Sequence, residues 1–293
     1  MSQTRQQPDS ITSLLGEVLT PPNLSAAYQT QAEQNLDAAQ TAFAANANLE
    51  NTVWLGRRLA YLFYLQQAID VYSEGLTRFP DAHQLYRHRG HRYISTRQFD
   101  KAIADFEAAA RLAADRPVEV EPDGIPNRLN QPTSTSHFNI WYHLGLSYYL
   151  TGQFGKATEA YQTCLTYSDN PDSLCATTDW YYMTLRRLGR KDEATELLTP
   201  ISANMALIES LSYHKRLLMY RGQLESDALL SLEGGDSDNA DLDLATQGYG
   251  VGNWYFYNGN RKKARAIFER VRQTRNWTAF GYIAAEVDCL TAF

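Results

Sequence analysis

Cysteine is scarce in this 293-residue chain, with three residues, Cys164, Cys175 and Cys289, an odd number lacking both a CxxC pair and zinc-ligand spacing. That argues against a disulfide framework and a structural zinc site. Cys164 and Cys289 fall in apolar helical patterns, which predicts buried thiols. Long apolar runs are missing too: none reaches the about 18 residues that crossing a bilayer needs. The opening MSQTRQQPDSITSLLGEVLTPP has no hydrophobic signal region, because Glu17 interrupts its one apolar patch. A soluble cytoplasmic protein is expected, with no membrane partner. Excess positive charge is also lacking: the net charge of −6 argues against a general nucleic-acid binder, which needs a basic surface to neutralise phosphates. Nor is there a G-x-S-x-G elbow or another nucleophile signature. No catalytic residue, metal or cofactor is expected, and the chain is not read as an enzyme.

Tyrosine is abundant. Hydrophobic residues make up 44% of the chain and aromatic residues 12%, enough for a core. They are most regular in WYHLGLSYYLTGQFGKATEAYQTCL, residues 141–165. Trp141, Leu144, Gly145, Tyr148, Gly152, Phe154, Ala157, Tyr161 and Leu165 recur three or four residues apart through two helical patterns, which Gly152 punctuates. Two amphipathic helices joined by a tight turn form a hairpin that cannot bury its apolar face alone, so copies are required. W-x2-L-G-x2-Y followed by Gly, Ala and an aromatic resembles the tetratricopeptide repeat, a helix–turn–helix unit of about 34 residues. The resemblance implies an all-α fold, a right-handed α-solenoid of stacked hairpins.

The copies follow in order. Residues 1–22 are polar, end in Pro21-Pro22, and are expected to form a flexible tail. Residues 23–48 are expected as an N-terminal capping helix, with Asn23 as its N-cap. Repeats 1 and 2 occupy 49–115: Gly56 to Gly90 is 34 residues, and Ala68 to Ala102 is the same. Residues 116–137 form an insertion whose Pro117, Pro122, Pro126 and Pro132 forbid a continuous helix. It is read as a surface loop, or as a loop folded over the groove with Asp123, Asn127 and His137 as its useful polar groups. Repeats 3–6 occupy 138–272. Tyr182 stands where glycine is usual in the fourth, and the fifth is degenerate, built on IESLSYHKRLLMYRG and the short ESDALLSL. Residues 273–293 are expected as a C-terminal capping helix.

Three weaker patterns have bland explanations. His83, His88 and His91 lack the carboxylate spacing of a metalloprotease helix. Gly248, Gly250 and Gly252 follow no strand, and Gly252 falls on the repeat's packing position, so close helix contact explains them better than a phosphate loop. Asp236, Asp238, Asp241 and Asp243 resemble a calcium loop, yet Asp241 stands where that loop needs glycine and Gln247 where it needs glutamate, leaving a solvated acidic loop.

In tetratricopeptide repeats the first helix of each hairpin lines a concave groove. The resemblance therefore implies a groove made by Arg57, Tyr61, Arg87, His91, Asn139, Tyr142, Tyr149, Arg186, Arg187, Asn253 and Tyr257, with Tyr249 and Phe256 beside them. Arginines on the inner face of an acidic protein suit an acidic or carboxylate-bearing segment of a partner protein. The expected function is that of a protein-interaction scaffold or adaptor. Two alternatives stand beside it. One is a small-molecule binder or enzyme with a pocket between insertion and groove. The other is a homo-oligomer associating through an exposed end cap around Phe280, Ile283 and Leu290.

Overall fold

The computed structural model of the chain describes residues 7–230 and 240–293. Among these residues it is all-α apart from one small β-hairpin, and it divides into two compact units, Met1–Pro117 and Val118–Phe293. Each unit is an α-solenoid stack of helical hairpins.

The first unit begins with strands β1 (Ile11–Thr12) and β2 (Val18–Leu19), paired antiparallel. Of the stretch expected as a flexible tail, residues 1–6 lie outside the described residues, and the part at Asp9 is fastened to the first unit. The Asp9 backbone N–H donates to the Phe63 carbonyl at 2.9 Å, and the Gln66 backbone N–H donates to the Asp9 carboxylate at 2.7 Å. Helices α1 (Ala26–Ala45), α2 (Leu49–Tyr61), α3 (Leu65–Arg78), α4 (His83–Ser95) and α5 (Phe99–Ala113) follow. The N-cap of α1 is Ser25 rather than Asn23: its hydroxyl accepts the Tyr28 N–H at 3.3 Å.

The second unit holds α6 (Ser136–Leu150), α7 (Phe154–Leu165), α8 (Pro171–Arg187), α9 (Lys191–Leu197) and α10 (Leu211–Tyr220). A 3₁₀ turn over Ser226–Leu229, α11 (Ala240–Tyr257), α12 (Arg261–Val271) and α13 (Phe280–Thr291) complete it. The degenerate fifth hairpin is thus a ten-residue helix answered by a single 3₁₀ turn.

One local rule builds the hairpins. A glycine on the first helix receives the aromatic ring sixteen residues on. A Cβ at Gly145 would lie 2.7 Å from the Tyr161 ring, one at Gly90 3.0 Å from Phe106, and one at Gly252 2.6 Å from Phe268; Gly56 meets Tyr72 in the same way. Between these positions the alanines Ala68, Ala102, Ala157, Ala194 and Ala264 are fully buried. In the fourth hairpin Tyr182 takes the glycine place. Its opposite number is Leu198 rather than an aromatic, α9 is only seven residues long, and Tyr182 stacks on Tyr220 with ring centroids 4.3 Å apart.

Each turn between paired helices passes through the left-handed region. In the second unit Gly152, Gly189, Gly222 and Gly259 supply it, with φ of 71° to 89°. In the first unit Phe63 (φ 63°) and Arg97 (φ 62°) do so, at the steric cost of a Cβ.

The proline-rich insertion is held within the second unit. Val120 bridges Thr135 in an antiparallel pair, and the Asn139 side chain donates to Glu121 at 3.0 Å. Asn127 donates to Glu209 at 2.6 Å, and Thr133 donates to the same carboxylate at 2.8 Å. Asp172 fixes the approach to α10 by accepting the backbone N–H groups of Ile208, Glu209 and Ser210. At the far end, the exposed apolar cap expected around Phe280, Ile283 and Leu290 does not form. Ile283 is fully buried, Phe280 packs on the Tyr142 and His143 rings, and Leu290 alone of the three is exposed.

Candidate functional site

The face shared by α2 and α4 in the first unit is built from cations and aromatic rings. Helix α4, HQLYRHRGHRYIS, carries three arginines, three histidines and no acid, while α2 has Glu50 as its single carboxylate, in its first turn. Tyr72 reaches in from α3, because Gly56 leaves room for its ring, and stacks against His88 with centroids 5.9 Å apart. Arg87 pairs with the His88 ring through an Nη1–Nδ1 contact of 3.0 Å. On α2 the Arg57 Nε donates to the Tyr61 hydroxyl at 3.3 Å. Its guanidinium lies 4.5 Å from the Trp54 ring centroid, with Arg58 at 4.8 Å from the same ring. Burial lowers the proton affinity of Arg92. Tyr72 and Tyr61 oppose that shift, and the like charges of Arg87 and Arg57 add to it. The groups acting most strongly on Arg92 are therefore two phenols and two guanidiniums, not carboxylates. The remaining arginine of α4 shows the contrast. Arg89 makes a two-pronged ion pair with Asp105 of α5, with both contacts at 2.8 Å.

The corresponding face of the second unit is closed by its own side chains. The Tyr149 and Tyr249 hydroxyls share a hydrogen bond of 2.6 Å between α6 and α11, and the Asn253 amide donates to Tyr149 at 2.9 Å. Arg187 of α8 donates to Asn253 at 2.7 Å and forms an ion pair with Asp288 of α13, which also accepts the Tyr249 hydroxyl at 3.0 Å. Burial raises the Asp288 pKa, against the pull of Arg187 and Tyr249. A second ion pair, Arg216 with Asp179, joins α10 to α8 with both side chains sealed from solvent. Arg216 also donates to the Thr246 carbonyl of α11 at 2.7 Å, and it fits there because Gly250 has no side chain to meet its Cδ. Burial pushes the Asp179 carboxyl up to about 7 against Arg216, and burial likewise pushes the Cys164 thiol up to about 12.

A family model for the tetratricopeptide repeat matches residues 83–116 and 138–171, which are the α4–α5 hairpin with its following turn and the α6–α7 hairpin with its lead into α8. These two hairpins match the tetratricopeptide repeat. Among solved structures, a tetratricopeptide repeat protein from Parabacteroides merdae is 12% identical, with 88% of this chain and 93% of that one covered at a TM-score of 0.51. YrrB, a TPR protein with an unusual peptide-binding site, is 18% identical over 84% of this chain and 98% of its own, with a TM-score of 0.46. A kinesin light chain protein of Podosopora anserina with nearly identical TPR-like repeats is 16% identical over 78% and 94%, with a TM-score of 0.45. The first of these likenesses supports the fold. A search of curated proteins gave no significant match.

The eleven residues that the repeat register nominates fall in both units. Arg57, Tyr61, Arg87 and His91 lie on the α2–α4 face of the first, with Arg87 nearly buried and the others half-buried. The other seven belong to the second unit, where internal bonds engage most of them. Tyr149, Arg187 and Asn253 form the α6–α8–α11–α13 network, Asn139 holds Glu121 of the insertion, and Tyr142 donates to the Tyr213 hydroxyl at 3.1 Å. Arg186 differs from its neighbour: it donates to the Tyr182 hydroxyl at 3.1 Å and to Asn258 at 2.8 Å, and lies 4.3 Å from the Tyr257 ring centroid. Asn127 donates to Asp123 within the insertion as well as to Glu209, and His137 is buried against the Tyr167 ring. Of the acidic run, Asp236 and Asp238 lie outside the described residues. Asp241 and Asp243 accept from the Arg275 backbone and the Ser212 hydroxyl. Arg92, Trp54 and Arg58 were not nominated by the register. The signal that finds them is the scarcity of acids, with Glu50 alone on α2 and none on α4.

Among the described residues no helix is long and apolar enough to cross a membrane.

Proposed function

We propose that this protein is a non-catalytic cytoplasmic adaptor that binds an acidic or carboxylate-bearing segment of a partner protein on the α2–α4 face of its first unit. One observation carries the reading: Arg57 and Arg92 share that face, their neighbours are phenols, an indole and other cations, and α4 has no acid to neutralise them. A cationic surface on a chain of net charge −6 concentrates positive potential where a ligand would lie. Guanidiniums match carboxylates as two-pronged donors, and Trp54 and Tyr61 add rigid contact area. Of the groove residues the repeat register nominates, the proposal keeps Arg57, Tyr61, Arg87 and His91, and it adds Arg92 and Trp54.

The test is fluorescence anisotropy of a labelled Asp/Glu-rich peptide against the full chain and its Arg57→Glu/Arg87→Glu variant. Since hydrogen bonds to charged groups contribute about 1.5–3 kcal/mol each, affinity should fall at least about tenfold. Circular dichroism should show an unchanged helix content. Equal affinity for a folded variant would remove this face from the account.

A further inference from the structure

The proline-rich insertion carries an open strand edge. Two bonds hold its bridge to the run before α6: the Glu121 N–H donates to the Ser134 carbonyl at 3.0 Å, and the Ser136 N–H donates to the Glu119 carbonyl at 2.9 Å. In that pattern Val120 and Thr135 are a non-hydrogen-bonded antiparallel pair, so the N–H and C=O of Val120 point away from the neighbouring strand. Among the described residues neither group has a partner. Val120 is 63% exposed, and Val118, two positions earlier, is 52% exposed. Unpaired backbone groups on an exposed apolar edge are a template for an incoming strand.

The frame behind the edge is fixed. The Thr133 hydroxyl donates to Glu209 at 2.8 Å, and its carbonyl accepts the Asn170 side chain at 2.9 Å. Thr135 caps α6 by accepting the Phe138 N–H at 3.2 Å, and Glu121 is held by Asn139. A strand added here has to order itself but not its receptor.

The run Val118-Glu119-Val120-Glu121 alternates apolar and acidic residues between Pro117 and Pro122. In an extended strand that alternation puts the valines on one face and the glutamates on the other. Directly opposed residues of an antiparallel pair share a face, so a fitting strand needs apolar residues beside the valines and cations beside the glutamates. A second copy of this chain fits worse, because setting Val118 against Val120 also sets Glu119 against Glu119.

We propose that the edge at residues 118–121 binds an extended segment of a partner protein in which apolar and basic residues alternate, added as an antiparallel strand. This edge belongs to the second unit and does not rest on the reading of the α2–α4 face.

The test is fluorescence anisotropy of a short labelled peptide alternating Val and Lys, titrated with the full chain. It should bind saturably. Two forms of the peptide, N-methylated on the Val amides or on the Lys amides, should differ: the form that blocks the docking edge should not bind, and the other should bind as the parent does. Val120→Pro removes the edge N–H but neither bond of the bridge. It should weaken the Val–Lys peptide by at least about threefold, the effect of one lost hydrogen bond. Helix content by circular dichroism and binding of the Asp/Glu-rich peptide should both stay unchanged. Glu119→Lys, at an exposed position, should shift the preference to a peptide alternating Val and Glu. Binding of the Val–Lys peptide that ignores both N-methylation patterns and Val120→Pro would overturn the strand assignment in favour of general attraction to an acidic chain. Self-association of the full chain in sedimentation, abolished by Val120→Pro, would overturn it in favour of a second copy. Absence of saturable binding would overturn it outright.

Discussion

The same repeat positions are filled with arginine and tyrosine in both units, yet the two faces end in opposite electrostatic states. In the second unit every strongly buried guanidinium described above has met an acid from a distant helix: Arg187 meets Asp288, and Arg216 meets Asp179. Tyrosine hydroxyls then link α6, α11 and α13, so the face is part of the core. In the first unit Arg89 finds Asp105 on the second helix of its own hairpin, while Arg57 and Arg92 face phenols and like charges. Repeat register alone therefore does not identify a ligand surface. What decides is whether the chain supplies its own counter-charge.

That comparison breaks most visibly under substitution of one arginine in each unit. Arg216→Gln leaves Asp179 buried without its partner and should cost about 3–5 kcal/mol. Arg92→Gln removes a cation from among cations and should change stability by no more than about 0.5 kcal/mol. Urea denaturation of the full chain, read together with amide exchange in each unit, separates the two. Comparable losses would mean that the first face belongs to the core as fully as the second.

A pH profile sharpens the point. Because burial pushes Asp179 up to about 7, the folded protein holds that proton more tightly than the unfolded chain, where the ordinary value is about 4. The stability it confers is complete below the ordinary value and is lost as pH rises through the folded one. Protection of α8 and α10 amides, corrected for intrinsic exchange, should decline between pH 5 and 8, and Asp179→Asn should flatten that decline. A wild-type profile already flat across this range would contradict the assignment.

The smallest expected effect concerns the turns. Arg97→Gly relieves a left-handed residue and should stabilise the first unit by up to about 1 kcal/mol, less whatever its side-chain bond to the Ser95 carbonyl contributes. Gly152→Ala should shift the second unit in the opposite direction by a similar amount, both read from the denaturation midpoint.

Most of the hairpin architecture was legible because its rule is local. Glycine, alanine and an aromatic at fixed spacing lie on one hairpin, so a sequence window of one repeat contains the whole contact. The N-terminal segment was not, since Asp9 is held by Gln66, 57 positions away, and composition says nothing about such a partner. The fate of the nominated groove was hidden likewise: Arg187 and Asp288 are 101 residues apart, and no pattern in either helix announces the pairing. The end cap failed as an expectation because α13 is apolar on more than one face, and Ile283 faces the unit's interior rather than solvent. Arg92 was overlooked for a different reason. Its position is not among those that the repeat register assigns to the groove, and only the acid-free run of α4 points to it.

The most direct test of the account is side-chain nuclear magnetic resonance of the full chain labelled with ¹⁵N-arginine, titrated with the Asp/Glu-rich peptide. The Nε–H signals of Arg57 and Arg92 should move with saturable dependence on peptide, while those of Arg187 and Arg216 stay in place. Movement of Arg187 or Arg216 with Arg57 and Arg92 unchanged would contradict the central claim that the ligand surface is the face on which Arg57 and Arg92 meet phenols and like charges instead of acids.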